Sequence, residues 1–381
     1  MKRGNIRERI KGSYTITIEL PRDIITNKRK QKYYTFKGSR KEAEKFLTEK
    51  LRELDTGILI DNKKMKYSEY LDYWKERTFK NLEITTQEGY VQKIEKHIKP
   101  YLGNLFLEDI RPLHLQNFYE KLLLEGRKDK KGGLSARTVL SIHRIIYSSL
   151  HQAVKWQLVI RNVADSVEPP KASKYKASYL TDKQTEELLE SAKETDIYIP
   201  IAIAIYTGAR RGEVLGLNWD NVNLEKGYIK IVDNLCATNN GVIIKQPKTN
   251  NGVRTVAISK TLINILKKHR IKQLENRMLY GKEYQDNNFV CCYADGHLFN
   301  PKRFSAKFHE LLRNNNLPII RFHDLRHSHA SLLVKMGVKP KEISSRLGHS
   351  NISITMDLYS HLYEETDRQV ADMFEELIKV N

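Results

Sequence analysis

One ten-residue stretch decides how this chain can be divided. From Pro169 to Ser178 it reads PPKASKYKAS, with two prolines, three lysines and no apolar period. A segment of that composition has no face to bury and reads as an exposed linker, basic enough to lie along phosphates. The sequence on either side is rich in apolar periodicity, so the 381 residues are expected to build separate cores. At ~150 residues per domain that means two or three. A hydrophobic content of 40% supplies such cores, which excludes a disordered basic tail.

Three units follow from the local patterns. In residues 1–60, Tyr14 to Leu20 alternates Thr15, Thr17 and Glu19 with Ile16, Ile18 and Leu20, the period of a half-buried strand. Lys32 to Phe36 reads as a second strand after the polar, basic connection Asn27 to Lys30. Ser39 with Glu42 forms a capping box, and Ala43, Phe46, Leu47, Leu51 and Leu54 follow at helical spacing. A small sheet on one helix results, of the kind that lays a face in the major groove. Residues 61–168 read as helical. Thr85 and Glu88 suggest a capping box for a helix through Tyr90, Val91, Ile94 and Ile98, stopped by Pro100 and Gly103. Helical periodicity returns from Leu113 to Leu124 and from Ser135 through Val139, Ile142, Ile146, Leu150 and Val154. After the linker, 169–178, the unit 179–381 opens with a Thr181–Gln184 capping box. Gly227 to Leu235, Val242 to Lys245 and Val253 to Ile258 read as two or three strands, with Asn250, Asn251 and Gly252 as a turn, and the rest as helical. The expected fold class is multidomain, mainly α with small antiparallel β-sheets: a sheet plus helix, a helical middle and a mixed α/β unit.

Charge is unevenly spread over these units. The formal net charge is +20, and residues 1–60 alone carry 16 Lys+Arg against 8 Asp+Glu. Such density is an electrostatic footprint for a polyanion, most often nucleic acid. Solubility, a membrane surface or ribosomal RNA satisfies the same number. No apolar run follows Met1, Lys2 and Arg3, so no signal peptide is expected. The most apolar stretch, Ile197 to Ala209, is interrupted by Pro200 and is shorter than the ~20 residues that cross a bilayer. Cys236, Cys291 and Cys292 have neither disulfide nor zinc spacing. A soluble protein of a reducing compartment, with no membrane partner, is the expectation. No Walker loop or dinucleotide glycine fingerprint is present, which removes support for nucleotide-driven chemistry.

Four short stretches of the last unit carry chemistry: TGARRGE from Thr207 to Glu213, PKTNNGVRT from Pro247 to Thr255, HDLRH from His323 to His327, and LGHS from Leu347 to Ser350, with Tyr359 ten residues after His349. Together they describe a phosphate site. His323 and Arg326 are three apart and share a helix face, and a guanidinium grips two oxygens while keeping its charge. Arg210 supplies a second fork; its neighbour Arg211 is chemically equivalent at this level. Pro340 and Gly348 bracket a short helix, which puts His349 in a turn and lets Ser353 cap the next helix, carrying Tyr359. Tyrosine, with a pKa near ~10, needs its proton removed or its anion stabilised to act as a nucleophile. Two rival readings exist. His323 and His327 have zinc-helix spacing, but Asp324 stands where the metalloprotease signature has Glu, and no third ligand is evident. The Pro340–Leu347 helix, its turn and the next helix also fit a helix-turn-helix that reads DNA without catalysis.

In this order, Arg210 and Glu213 in TGARRGE, Lys248 in PKT, His323 and Arg326 in HDLRH, His349 in LGHS, and Tyr359 in TMDLYSH resemble the signature of the tyrosine recombinases, over residues 175–381. Within that superfamily the whole chain resembles the integrases of phages and conjugative transposons. The resemblance favours Arg210 over Arg211, likens residues 61–168 to a core-site DNA-binding domain, and likens residues 1–60 to an arm-type DNA-binding domain.

That resemblance implies a site-specific recombinase that integrates and excises a mobile genetic element through a 3′-phosphotyrosine intermediate. Tyr359 is the implied nucleophile. Arg210 and Arg326 hold the non-bridging oxygens and His349 adds a hydrogen bond; Lys248 protonates the leaving 5′-oxygen, His323 assists proton transfer, and Glu213 steadies the network. No metal or cofactor is implied. Double-stranded DNA with core-type and arm-type sites is the implied partner, bound by a homotetramer, with an excisionase and a host DNA-bending protein as accessory partners. The implied setting is the cytoplasm of a bacterium, at the nucleoid, with the gene bacterial or phage-borne. The final helix, from Glu364 to Val380, packs on its own domain or docks on a neighbouring protomer. The alternatives are a type IB topoisomerase-like relaxing enzyme and a non-catalytic DNA-binding regulator.

Overall fold

A computed structural model describes residues 4–20, 29–55, 64–129, 131–173, 178–246, 253–348, 352, 356 and 374–375. It divides into two compact units, Met1–Lys174 and Tyr175–Asn381.

The amino-terminal sheet has three antiparallel strands in the order β1 (Gly4–Ile10), β2 (Ser13–Leu20) and β3 (Lys30–Lys37). The alternation of β2 is realised: Tyr14, Ile16, Ile18 and Leu20 are buried, while Thr15, Thr17 and Glu19 face away. Helix α1 (Arg40–Asp55) covers the buried face through Ala43, Phe46, Leu47 and Leu51. Ser39 caps it reciprocally with Glu42, each side chain meeting the other's backbone N–H. Strand β1 was not expected. Its Arg7, Glu8 and Arg9 obscure the alternation, because an edge strand gives only Ile6 to the core and uses charge to discourage further pairing.

The helical middle packs α2 (Tyr67–Thr78), α3 (Ile84–Lys93), α4 (Lys99–Leu102), α5 (Pro112–Glu125) and α6 (Ala136–Lys155) around one core. Ser135 caps α6, whose Val139, Ile142, Ile146 and Leu150 are buried as their spacing requires. Two expectations fail here. The Thr85–Glu88 box does not form. The helix starts at Ile84 with Glu83 as its N-cap, because Gln87 donates to the carbonyls of Phe79 and Leu82 and ties the first turn to the preceding one. Nor does Pro100 stop the helix. A π turn over Ile94–Ile98 widens the spiral just ahead of it, with the Lys99 N–H reaching back to the Ile94 carbonyl. Pro100 then enters α4 in its first turn, where no N–H is needed, and the chain turns at Gly103.

The second unit is built around α8 (Tyr198–Thr207), apolar on all sides, with Ile201, Ala202, Ile203 and Ala204 fully enclosed. Helices α7 (Asp182–Ala192), α10 (Lys260–Tyr280) and α12 (Asp324–Lys335) pack around it. The Thr181–Gln184 capping box forms at the start of α7. Pro200 lies in the first turn of α8 and Gly208, in the left-handed region at φ 66°, ends it. The region expected as one strand from Gly227 to Leu235 is two: β5 (Tyr228–Ile231) joins β4 (Val222–Asn223) and β8 (Arg254–Ala257) in one antiparallel sheet, and β6 (Asn234–Thr238) pairs with β7 (Gly241–Lys245) in a hairpin. Among the described residues no helix is long and apolar enough to cross a membrane.

Candidate active site

The site begins where α8 ends. Its C-terminal turn at Gly208 redirects the chain into α9 (Arg211–Leu215), for which Arg210 is the N-cap residue. Gly208 is required twice over: its φ is positive, and a Cβ there would stand 2.4 Å from Leu347 Cδ2 and 2.8 Å from His329 Cδ2. Gly212 lets the hairpin approach, since a Cβ would fall 1.7 Å from Asn234 Oδ1. The glycines of TGARRGE therefore permit close packing beside the charged residues.

Glu213 is the electrostatic pivot. The residue is only 6% exposed, and its carboxylate accepts from the Arg210 backbone N–H at 2.9 Å, Arg210 Nη1 at 2.7 Å, and Arg254 Nη1 and Nη2 at 3.2 and 2.8 Å. Burial alone raises its pKa; the hydrogen bonds and charge of Arg254, with the N–H and charge of Arg210, outweigh that and hold it below the ordinary value. Arg211 points elsewhere, donating to the Ser305 hydroxyl at 2.6 Å on α11 (Pro301–Asn314). The two adjacent arginines are chemically alike and sterically separate.

A second organising element is the C-terminus of α13 (Pro340–Leu347), where Pro340 is the first helical residue and Gly348, at φ 67°, the cap. Three successive carbonyls at this end each receive a guanidinium: Arg346 from Arg254 Nε at 3.0 Å, Leu347 from Arg326 Nη2 at 2.5 Å, and Gly348 from Arg210 Nη2 at 3.2 Å. The last carbonyls of a helix lack intrahelical partners and form the negative end of its dipole, so they attract cations. Here they gather three arginines from separate elements. Arg326, 2% exposed, also donates to the Gly208 carbonyl at 2.8 Å, the corresponding end of α8. Burial, then the charges of Arg210 and Arg254, lower its pKa to about 9, against the pull of Glu213. It remains charged at neutral pH. Among the described residues, three guanidiniums around one carboxylate leave a fixed excess of positive charge.

His323 is the N-cap residue of α12, one turn before Arg326. The protein packed around its ring, then the charges of His327 and Arg326, lower its pKa to about 4. It is neutral at pH 7 and able to accept a proton. Its ring stands edge to face with His327 at 5.6 Å. Asp324, the residue considered for a zinc motif, is fully buried and paired with Arg321 through both carboxylate oxygens, at 2.7 and 3.1 Å. That pair anchors the start of α12.

Arg210, Glu213, His323 and Arg326 thus meet in one place. Lys248, His349 and Tyr359 lie outside the described residues, as do the Asn250–Gly252 turn, Ser353 and most of the expected helix from Glu364 to Val380. Arg254 was not singled out from the sequence. Its signal was present: Arg254, Val256 and Ile258 alternate, which puts an arginine on an inward face where it requires a carboxylate.

A model of the phage integrase family matches residues 178–366, and a model of the phage integrase N-terminal SAM-like domain matches residues 66–123. The chain belongs to the phage integrase family. It is a tyrosine recombinase, an enzyme that cuts and rejoins DNA strands in site-specific recombination. A protein named tyrosine recombinase XerC-like, from Caldanaerobacter subterraneus subsp. tengcongensis, is 24% identical over 99% of this chain and 99% of its own length. The ICEBs1 integrase of Bacillus subtilis is 25% identical over 96% of this chain and 98% of its own length. Among solved structures, the Tn1549 transposon integrase in complex with transposon right end DNA has a TM-score of 0.66 at 22% identity, covering 81% of this chain and 99% of that one. This likeness bears out the mainly helical integrase fold with small antiparallel sheets. The recombinase signature was legible from residue order, and integration and excision of mobile DNA follow from the family.

Proposed function

We propose that Tyr359 attacks a DNA phosphodiester held by Arg210 and Arg326, forming a 3′-phosphotyrosyl bond and releasing a 5′-hydroxyl. The 5′-hydroxyl of a partner strand then attacks that bond, so no external energy source is needed. The observation that carries this reading is the alignment of guanidiniums on successive carbonyls of α13: they are fixed before substrate arrives, as stabilisation of a charged phosphorane demands. His349, the next residue after Gly348, adds a hydrogen bond. Lys248 protonates the departing oxygen. Neutral His323 takes the phenolic proton, and a bound phosphate raises its basicity by placing a negative charge among the cations. Glu213 and Arg254 position Arg210 and do not touch substrate.

Residues 61–168 engage the core-type site. Residues 1–60 engage an arm-type site through the open face of the sheet, which presents Arg7, Thr15, Thr17 and Tyr33, the last 64% exposed. One protomer bridges the two sites. Exchange between two duplexes breaks four strands, so with one tyrosine per strand the active assembly is a homotetramer. An excisionase and a host DNA-bending protein set direction and synapsis, at the nucleoid in the bacterial cytoplasm.

The test uses nicked duplexes carrying the junction sequences of the mobile element. The wild-type chain forms a protein–DNA adduct that survives denaturant, and Tyr359→Phe forms none. No adduct on any attachment DNA favours the regulator. Adducts combined with relaxation of plasmid lacking a second site favour the topoisomerase.

A further inference from the structure

We propose that Arg346 and His329 form a positioning pair that sets the register of the α13 terminus, and with it the spacing of the catalytic guanidiniums. The Arg346 side chain donates to the Tyr206 carbonyl of α8 at 3.0 Å, to the Ala257 carbonyl of β8 at 3.2 Å, and to His329 Nε2 of α12 at 3.2 Å. Each of those elements delivers one arginine: α8 runs into Arg210, β8 opens with Arg254, and α12 carries Arg326. The backbone carbonyl of Arg346 is itself the first of the three that receive them. One side chain therefore fixes the acceptor row relative to all three donor elements.

His329 supplies the complementary half. Its Nδ1 lies 2.8 Å from the Ile205 carbonyl, which only accepts, so Nδ1 carries the proton and Nε2 presents its lone pair to Arg346. The ring also lies under the left-handed turn at Gly208, where a Cβ would stand 2.8 Å from it. Burial, then the charge of Arg346, bring its pKa to about 4, so the ring is neutral at neutral pH. Lysine at 346 would keep the charge but lacks the planar fork that serves three acceptors from three directions.

This inference rests on the catalytic reading above, and its test separates the two. In the full chain, Arg346→Lys, His329→Ala, the double variant and His329→Gln are compared with wild type on a nicked core-site duplex. The readouts are single-turnover cleavage rate, DNA affinity with its salt dependence, and thermal unfolding. Misplacement on the order of 1 Å slows such a reaction by about 100-fold, so Arg346→Lys and His329→Ala are expected to lower the rate by roughly 10- to 100-fold. Affinity is expected to stay within about twofold, because the positioning role requires no contact of either side chain with DNA. The double variant is no slower than the slower single one, as for residues acting through one bond. His329→Gln recovers rate, since its amide oxygen accepts from Arg346. Arg346→Lys cleaving at the wild-type rate overturns the positioning role even if His329→Ala fails to fold. Losses that follow the salt slope overturn it in favour of a phosphate contact. Absence of wild-type cleavage overturns the catalytic reading and this one with it.

Discussion

Glu213→Gln is the substitution whose consequence is best defined by the geometry. It keeps the size of the side chain and removes the negative charge that both Arg210 and Arg254 contact. The loss divides unequally. The Arg210 side chain is 39% exposed, so water replaces much of its lost partner, and that half contributes only about 0–1 kcal/mol. The Arg254 side chain is 7% exposed and faces a Glu213 side chain 5% exposed; removing one charge of a buried pair costs about 3–5 kcal/mol. Arg254 still donates through Nε to the Arg346 carbonyl, which favours the lower end, so roughly 3 kcal/mol is expected. Hydrogen exchange followed by mass spectrometry in the full chain reads this locally. At about 1.4 kcal/mol per tenfold change, amides of α9 and β8 should exchange on the order of 100-fold faster. Those of α5 and α6, in the other unit, should be unchanged. Exchange in α9 and β8 within about threefold of wild type would refute the view that Glu213 holds the arginines together.

Acid should weaken the second unit in a defined window. His323 and His329 have folded pKa values of about 4 against an ordinary 6.5, so below pH 6.5 the unfolded chain binds protons that the native one refuses. Stability then falls as pH drops from about 6.5 towards 4, and urea denaturation should show a shallower slope for His329→Gln. Gly208→Ala places a Cβ against Leu347 and His329 at a positive φ; a loss of about 1–3 kcal/mol, measured by denaturant titration, is expected. Arg7→Ala on the open sheet face should reduce the slope of log affinity against log salt for arm DNA by about 1, and an unchanged slope would remove Arg7 from the phosphate contacts.

What could be read in advance was whatever a local period or a short motif encodes. The alternation of β2, the Ser39 and Thr181 capping boxes and the apolar face of α6 each depend on residues within a few positions, and each forms. The misses share a different cause. Strand β1 is defined by the neighbour it pairs with, not by its own charged sequence. The helix over Pro100 continues because a π turn absorbs the ring, and α3 begins early because Gln87 is fixed by the preceding turn. At the site, Arg210, Glu213, His323 and Arg326 were legible as residue types in order. Arg254, His329 and Arg346 act through carbonyls and side chains 17 to 140 residues away, and no local pattern encodes such partners. Side-chain chemistry alone did not separate Arg210 from Arg211; in the fold one faces Glu213 and the other Ser305.

The central claim is that one tyrosine joins to DNA beside the row of arginines, and it is tested most directly by locating the covalent bond. Adduct trapped on a nicked core site is digested with nuclease and trypsin, and the peptide 347–368, which holds both Tyr359 and Tyr363, is fragmented by mass spectrometry. A 3′-linked nucleotide remnant on Tyr359, lost in Arg326→Ala, is the predicted result. A remnant on Tyr363, or on any residue outside that peptide, would contradict it.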